Sequence, residues 1–196
     1  MSARPKKRTA ARRLQAGGAA LAGLLPRAIA LSLVVFGGLS ILLASYQLTV
    51  LTARTVWTAA ALVALAVIVF SGRRWGILLL VCLFAAGVWT WRNAETLLQG
   101  ALLLTEQALT PLSLRLPDGL QALIARHDAQ ETLQLTTTAL QALLVPSVLL
   151  TGYFVIRRFS VLGPALAILP LLPILFHSLP VAVAPFFCLV AAFLML

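Results

Sequence analysis

The chain has 196 residues, of which 61% are hydrophobic and 10% are charged, against about 25% charged in ordinary soluble domains. A soluble domain of this length could not remove so much apolar side chain from water, whereas a bilayer accepts it. The formal net charge of +10 does not indicate nucleic acid, because seven of the 15 basic residues lie in the first 27 positions and most others flank apolar runs. The sequence therefore predicts an integral membrane protein whose basic N-terminus meets anionic lipid headgroups.

Six uncharged runs come close to the ~20 residues that a helix needs to cross the hydrocarbon. They predict an all-α, multi-pass bundle of about six transmembrane helices. The runs lie within 28–51, 55–70, 75–91, 136–156, 160–176 and 181–196. The expected organisation is a basic cytoplasmic tail (1–27), helices one to three (28–91), an extracytoplasmic loop (92–135) and helices four to six (136–196).

Basic residues predict the orientation of these helices. Arg73 and Arg74 lie in the tight turn between the second and third helices, and Arg157 and Arg158 lie between the fourth and fifth. If the first helix starts inside, both turns and the N-terminal tail are cytoplasmic, as the excess of Lys and Arg in cytoplasmic loops requires. The predicted location is a bacterial inner membrane, with the N-terminus in the cytoplasm and the loop 92–135 outside.

Aromatic residues and prolines punctuate the predicted helices. Trp75, Trp89 and Trp91 mark the two ends of the third helix, and we expect them to be interfacial anchors. Prolines free backbone carbonyls and kink helices, and clusters of them can mark a substrate site. A kinked hairpin that packs against its neighbours is the favoured interpretation. The predicted kinks are at Pro146, Pro164, Pro170, Pro173 and Pro185.

The loop 92–135 holds all five acidic residues of the chain. A second short helix is predicted in "PDGLQALIARHD", with Asp118 as N-cap and Gln121 completing a capping box. The first part of the loop is predicted to be an amphipathic helix at the outer interface or docked on the bundle, because mostly apolar positions recur at helical spacing. These positions are Leu98, Leu102, Thr105, Leu109 and Leu112.

One polar cluster raises the question of a metal site. His127 and Glu131 are four residues apart, and His177 is predicted on the same side of the membrane. A polar rim that keeps the loop out of the hydrocarbon is the favoured interpretation. Cys82 and Cys188 lie inside apolar runs and read as packing residues. We find no motif for nucleophilic, acid–base or phosphate chemistry, so no catalytic, cofactor-binding or metal-ligating residue is predicted.

The order of these features suggests a family. An "RR" turn after two spans, an outside loop, "YFVIRRFS" and the hairpin "LGPALAILPLLPILFHSLPVAVAP" together resemble the N-terminal membrane region of bacterial transglutaminase-like membrane proteins. The resemblance implies a membrane anchor that precedes an extracytoplasmic domain with a papain-like Cys-His-Asp triad. It transfers no catalytic residue to this chain. Because the last run is short for a span and no polar residue follows it, we expect the protein to continue beyond Leu196.

Three functions are open at this point. The first is a membrane anchor region without catalysis or cofactor of its own, with the lipid bilayer as its partner. The second is a transporter or permease subunit, which would use the proline-rich hairpin to hold an apolar substrate. The third is a non-catalytic assembly subunit of a larger membrane complex, with the outer loop as its contact surface.

Overall fold

The computed structural model describes residues 6–124, 128–158, 160–169, 172–173 and 183–196, and it describes side chains from residue 23 onward except at 166–168. These residues form helices and turns, and no strand occurs among them. A 3-10 turn (Thr110–Leu112) follows α4, and a π-helical stretch (Tyr153–Arg158) continues α6. The α-helices are α1 (Lys6–Ser45), α2 (Thr52–Ser71), α3 (Trp75–Arg92), α4 (Ala94–Leu109), α5 (Asp118–Gln121), α6 (Ala129–Gly152), α7 (Leu162–Ile168) and α8 (Val183–Met195).

Four helical segments are long and apolar enough to cross a membrane. They are Gly23–Ser45, Thr52–Ser71, Trp75–Arg92 and Ala129–Arg158. The predictions of an all-helical fold and of helices long and apolar enough to span a membrane are thereby confirmed for the described residues. The predicted fifth and sixth spans correspond to α7 and α8, whose described parts have 7 and 13 residues. At ~1.5 Å per residue, neither described part covers the ~30 Å hydrocarbon core.

Two helices begin earlier than the apolar runs indicate. The first starts at Lys6 and continues through Pro26, so most of the predicted tail is helical. The fourth predicted span starts at Ala129 instead of Thr136. Its first turns carry polar residues such as Glu131 and Gln134, which a criterion based on apolar runs leaves out although they are good helix formers.

The core of the bundle lies where α1, α2 and α6 meet. Fully buried side chains from all three helices fill it, among them Leu31, Val34, Phe70 and Val148. On its other side α1 packs closely against α8, and a Cβ atom on Gly37 would lie 3.2 Å from the Cβ atom of Cys188. Glycine therefore permits this approach, and Cys188 is a packing residue there.

The helix α4 docks on the start of α6 through a face that the sequence did not indicate. Its buried residues are Gly100, Leu103 and Leu104, whereas Leu98 of the predicted apolar stripe is 58% exposed. The predicted stripe is therefore not the face that meets α6. Both sides of this helix are rich in leucine, and the small residue decides which side can approach. A Cβ atom on Gly100 would overlap the carbonyl oxygen of Leu135.

The predicted capping box at α5 was wrong. Asp118 is the first residue of this four-residue helix, Pro117 occupies the N-cap position, and no side chain caps it. The backbone amides of Leu120 and Gln121 donate to the carbonyl of Pro117 instead. The Gln121 side chain turns away and donates through Nε2 to the carbonyl of Leu116 at 2.9 Å.

The helix α3 lies at the edge of the bundle. None of its 18 residues is buried, and it packs mainly against its chain neighbours α2 and α4. Phe84 is 70% exposed and Trp91 is 83% exposed. An apolar helix of this length with no buried residue requires an apolar environment outside the chain.

Candidate functional site

Arginines from three separate segments meet at one end of the bundle. Arg27 lies in α1, Arg73 and Arg74 lie in the turn between α2 and α3, and Arg157 and Arg158 end the π-helical stretch. We call this region the arginine end. All five acidic residues lie in the segments 95–118 and 128–131, at or before the opposite end of α6. A helix of some 25 residues separates the two groups by roughly 35–40 Å.

Aromatic side chains hold the arginine end together. The ring centroids of Trp75 and Tyr153 are 5.7 Å apart, and Phe70 lies 6.0 Å from Tyr153. The guanidinium carbon of Arg157 lies 5.6 Å from the ring centroid of Trp75, within the range of a cation–π contact. The Nε of Arg158 donates to the hydroxyl of Tyr153 at 3.1 Å. The α2–α3 turn and the end of α6 are thereby joined.

The first helix also contributes to the arginine end. The Nη1 of Arg27 donates to the carbonyl oxygen of Ile156 at 2.9 Å. Ile156 lies within the π-helical stretch and is buried. Carbonyls near a helix C-terminus lack intrahelical donors, and a cation is a favourable partner for them. The contact fixes the start of the first apolar span against the end of the fourth.

Threonines form the corresponding contacts at the opposite end. The backbone amide of Leu51 donates to Oγ1 of Thr137 at 2.9 Å, and Oγ1 of Thr136 donates to the carbonyl of Thr49 at 2.9 Å. Both threonines of α6 are fully buried. The Leu51 amide and the Thr49 carbonyl lie in the connection between α1 and α2, and these hydroxyls give them hydrogen-bond partners. A backbone group buried without a partner would cost stability.

The contacts of Thr136 and Thr137 form a polar layer, and two glutamines extend it. Oε1 of Gln107 in α4 accepts from the backbone amide of Thr49 at 3.1 Å. Nε2 of Gln141 in α6 donates to Oγ1 of Thr58 in α2 at 2.8 Å. The layer lies at the acid-bearing end of the bundle and links α2, α4, α6 and the α1–α2 connection. Its contacts are those of a structural clamp, because each side chain is engaged with the backbone or with a neighbouring hydroxyl.

A cleft of about 240 Å³ opens between α1 and α6. Its lining is aliphatic apart from the hydroxyls of Ser147 and Thr151. The Ser147 hydroxyl donates to the carbonyl of Leu143 within its own helix at 2.8 Å. The cleft suits a hydrocarbon chain better than an ion, since an ion would find no charged side chain in its lining. The remaining lining residues are Val34, Val35, Gly38, Leu39, Leu42, Leu140, Leu144, Val148, Leu150 and Leu169.

The residues singled out in the sequence lie in different parts of the structure. Trp75 belongs to the aromatic cluster at the arginine end, while Trp89 and Trp91 are exposed at the far end of α3. Their role as anchors stays a prediction, as do the kinks at the prolines. Pro146 lies inside α6, Pro164 inside α7 and Pro185 inside α8, Pro173 falls in the described pair 172–173, and Pro170 lies outside the described residues.

The proposed histidine cluster falls largely outside the described residues. His127 and His177 are both among the positions that the structure does not describe. Glu131 is exposed in the first turn of α6. Within the described part of the chain no group of three potential metal ligands lies together.

One titratable group close to the polar layer has a perturbed pKa. Burial raises the pKa of the Tyr46 hydroxyl from its ordinary value of 10.0, because the phenolate loses hydration there. Tyr46 follows the last residue of α1 and is 7% exposed. The shift favours the neutral hydroxyl, which suits a packing position and provides no base for catalysis.

Comparison of the chain with protein-family models, with curated proteins and with solved structures gave no significant match. The class of protein therefore follows from the chain's own residues. They give an all-helical fold in the described residues, with four helices long and apolar enough to span a membrane, one of which, α3, has no buried residue.

Proposed function

We propose that this chain is a multi-pass integral membrane anchor that has no catalysis of its own and holds a structured outer segment at a bacterial inner membrane. The observation that carries the proposal is α3, an apolar helix without a buried residue. Exposed apolar surface costs about 25 cal/mol per Å² in water. A lipid environment removes that cost along the whole helix.

Charge placement supports the orientation in this proposal. The arginine end is basic, and every acidic residue belongs to the segments at the other end. Lys and Arg are in excess on the cytoplasmic side of membrane proteins, so we assign the arginine end to the cytoplasm and the loop 92–135 to the outside. We further propose that α7 and α8 belong to a second hairpin that completes six crossings. The close packing of α8 on α1 at Gly37 supports this.

The spans themselves support an anchor over an ion-coupled carrier. Between 28 and 45, 55 and 71, 75 and 91, and 132 and 156 the sequence has no Asp, Glu, Lys or Arg. Proton relays and ion pathways usually place such residues inside the membrane. The hydroxyls of α6 that lie closest to the bundle interior are already engaged in hydrogen bonds.

A membrane-extraction experiment tests the anchor. The full chain, carrying a soluble fluorescent reporter at its C-terminus, is expressed in bacteria, and membranes are washed with alkaline carbonate. An integral anchor keeps the reporter in the membrane pellet until detergent is added, because spanning helices are not released by charge or pH. Release of the reporter into the carbonate wash would contradict the proposal.

The family resemblance leads to a proposal about the longer protein. If the bundle is the N-terminal region of a transglutaminase-like membrane protein, the gene continues past the codon for Leu196 into a domain that supplies Cys, His and Asp. Reading the gene tests this part alone. A stop codon directly after Leu196 would remove the transglutaminase-like proposal and would leave the anchor intact.

A carrier for an apolar molecule is the second candidate, and the aliphatic cleft between α1 and α6 is the observation that favours it. Binding of a fluorescent fatty-acid probe distinguishes a carrier from an anchor. Binding by the parent chain and loss of binding in Leu144→Trp, which fills the cleft, would favour a carrier. Equal binding by both chains would count against it.

A further inference from the structure

Among the residues that the structure describes, no acidic side chain pairs with four arginines of the arginine end. Arg73 and Arg74 are exposed beside the start of α3, and Arg157 and Arg158 are exposed at the end of the π-helical stretch. The contacts described for the last two are to an aromatic ring and a hydroxyl. The five acidic side chains, all of them within the described part of the chain, belong to the far end of the bundle.

The aromatic cluster brings the two arginine pairs together. Trp75 directly follows Arg74 in the chain and lies under the guanidinium of Arg157. Tyr153 packs against Trp75 and accepts from Arg158. A guanidinium has five N–H donors in a planar fork. A cation–π contact uses the face of this group and a single Nε bond uses one donor, so most N–H donors of these two exposed side chains remain available to a ligand.

The aromatic composition of the cluster predicts a depth close to that of lipid phosphates. Trp and Tyr concentrate at the membrane–water interface, where the ring is apolar and the polar atom meets water. The side of α3 that continues from Trp75 toward the hydrocarbon is apolar, with Leu78 41% exposed and Leu83 52% exposed. A molecule bound at the arginines can therefore place a phosphate among the guanidiniums and hydrocarbon chains along α3.

We propose that Arg73, Arg74, Arg157 and Arg158 form a binding site for the phosphodiester headgroup of an anionic phospholipid in the inner leaflet. The site rests on the proposed membrane location of the chain. It differs from the general attraction of a basic tail to a charged surface, because Arg157 and Arg158 are held on one aromatic cluster. Arg73 and Arg74 directly precede Trp75, which belongs to the same cluster. Arginine matches the geometry of phosphate oxygens in bidentate contacts.

A lipid fits this surface better than a soluble phosphate. All four arginines are exposed, so a small anion would remain in contact with water and salt, which screen exposed charges over about 8–10 Å. Hydrocarbon chains along α3 add apolar contact that the soluble headgroup lacks. The occupant is therefore a phospholipid, and the free headgroup serves as a competitor in the test.

Native mass spectrometry of the full chain in uncharged detergent tests the site. Phosphatidylglycerol is titrated against the parent chain, against Arg73→Gln/Arg74→Gln and against Arg157→Gln/Arg158→Gln. Each double substitution should weaken phosphatidylglycerol binding roughly tenfold to thirtyfold, since each arginine near an anionic headgroup contributes about a factor of five. The matched control is Arg92→Gln/Arg115→Gln at the acid-bearing end, which should leave binding unchanged.

Three outcomes would overturn the site: binding that is equal in the parent and both arginine-end variants, equally tight binding of phosphatidylcholine with the same chains, or equally tight binding of soluble glycerophosphoglycerol. Salt titration of the unmodified chain tests the site without any substitution, so its result does not depend on whether a variant folds. Phosphatidylglycerol binding must weaken as ionic strength rises. Salt-independent binding would also overturn the site. If the chain resists carbonate extraction but does not select anionic lipid, the site is wrong and the anchor stands.

Discussion

The guanidinium of Arg157 lies over the ring of Trp75, 5.6 Å from its centroid, although the two residues are far apart in the sequence. This contact joins the turn after α2 to the end of α6. Near the opposite end of α6, the backbone amide of Leu51 donates to Oγ1 of Thr137. The two contacts join α6 to the residues that flank the two ends of α2, so the basic and acidic regions of the chain are held apart.

Replacing Trp75 by alanine should destabilise the bundle. The ring packs against Phe70 and Tyr153 and lies under Arg157. Trp75 is half-buried, so the expected loss of unfolding free energy is about 1–3 kcal/mol, below the ~3–5 kcal/mol for a fully buried aromatic. Thermal unfolding in detergent, followed by circular dichroism, measures it. Trp91→Ala, at an 83% exposed position, should change stability by less than ~0.5 kcal/mol.

Replacing Gly100 by alanine should loosen α4 from α6. The added Cβ would lie 2.9 Å from the Cβ of Ala139 and would overlap the carbonyl oxygen of Leu135. Overpacking of this kind costs about 1–3 kcal/mol, which exceeds the ~1 kcal/mol that alanine normally gains over glycine in a helix. Gly87→Ala is the control, because a Cβ there meets no atom within 4 Å. Equal unfolding midpoints for the two variants would contradict the docking of α4.

Replacing Thr137 by valine should destabilise the chain although the two side chains have nearly the same shape. Without the hydroxyl, the amide of Leu51 loses its acceptor, and an unsatisfied buried donor costs about 1–3 kcal/mol. The neighbouring Thr138 is the matched control, since its hydroxyl donates within α6 to the carbonyl of Gln134. Thr138→Val should unfold close to the parent midpoint. The prediction is wrong if both valine variants lose the same stability.

The Tyr46 hydroxyl should titrate above its ordinary pKa of 10.0, because burial raises it. A raised pKa means that the folded state prefers the neutral form, so the stability from this group is complete below pH 10.0 and is lost as pH rises through the folded pKa. The chain has two tyrosines, and Tyr153→Phe leaves Tyr46 as the one tyrosine whose ionisation changes near-ultraviolet absorbance. Identical titration midpoints in folded and denatured protein would refute the burial of this hydroxyl.

Much of the helical layout could be predicted from the sequence. The second and third helices are bounded by Arg54, the "SGRRW" turn and Arg92, and the structure places α2 and α3 within a few residues of those limits. Apolar runs predict these helices because a segment that crosses a bilayer must form its backbone hydrogen bonds within itself. The same criterion missed the start of α6, where a polar first turn is helical but not apolar.

Contacts between distant segments could not be predicted. The docking face of α4 depends on Gly100 meeting Leu135 and Ala139, and nothing in the leucine-rich pattern distinguishes that face from its opposite. The "TTT" run at 136–138 was a visible signal of polarity within an apolar sequence. Its partners Thr49 and Leu51 lie more than 80 residues earlier, and sequence spacing does not show such a pairing.

Cysteine labelling in intact bacteria tests most directly whether the two ends of the bundle lie on opposite sides of the membrane. In a background carrying Cys82→Ala and Cys188→Ala, Asp128→Cys and Arg73→Cys are each exposed to a membrane-impermeant maleimide. Position 128 should label in intact cells, and position 73 should label only after the membrane is permeabilised. Labelling of position 73 in intact cells, with protection of position 128, would contradict the orientation.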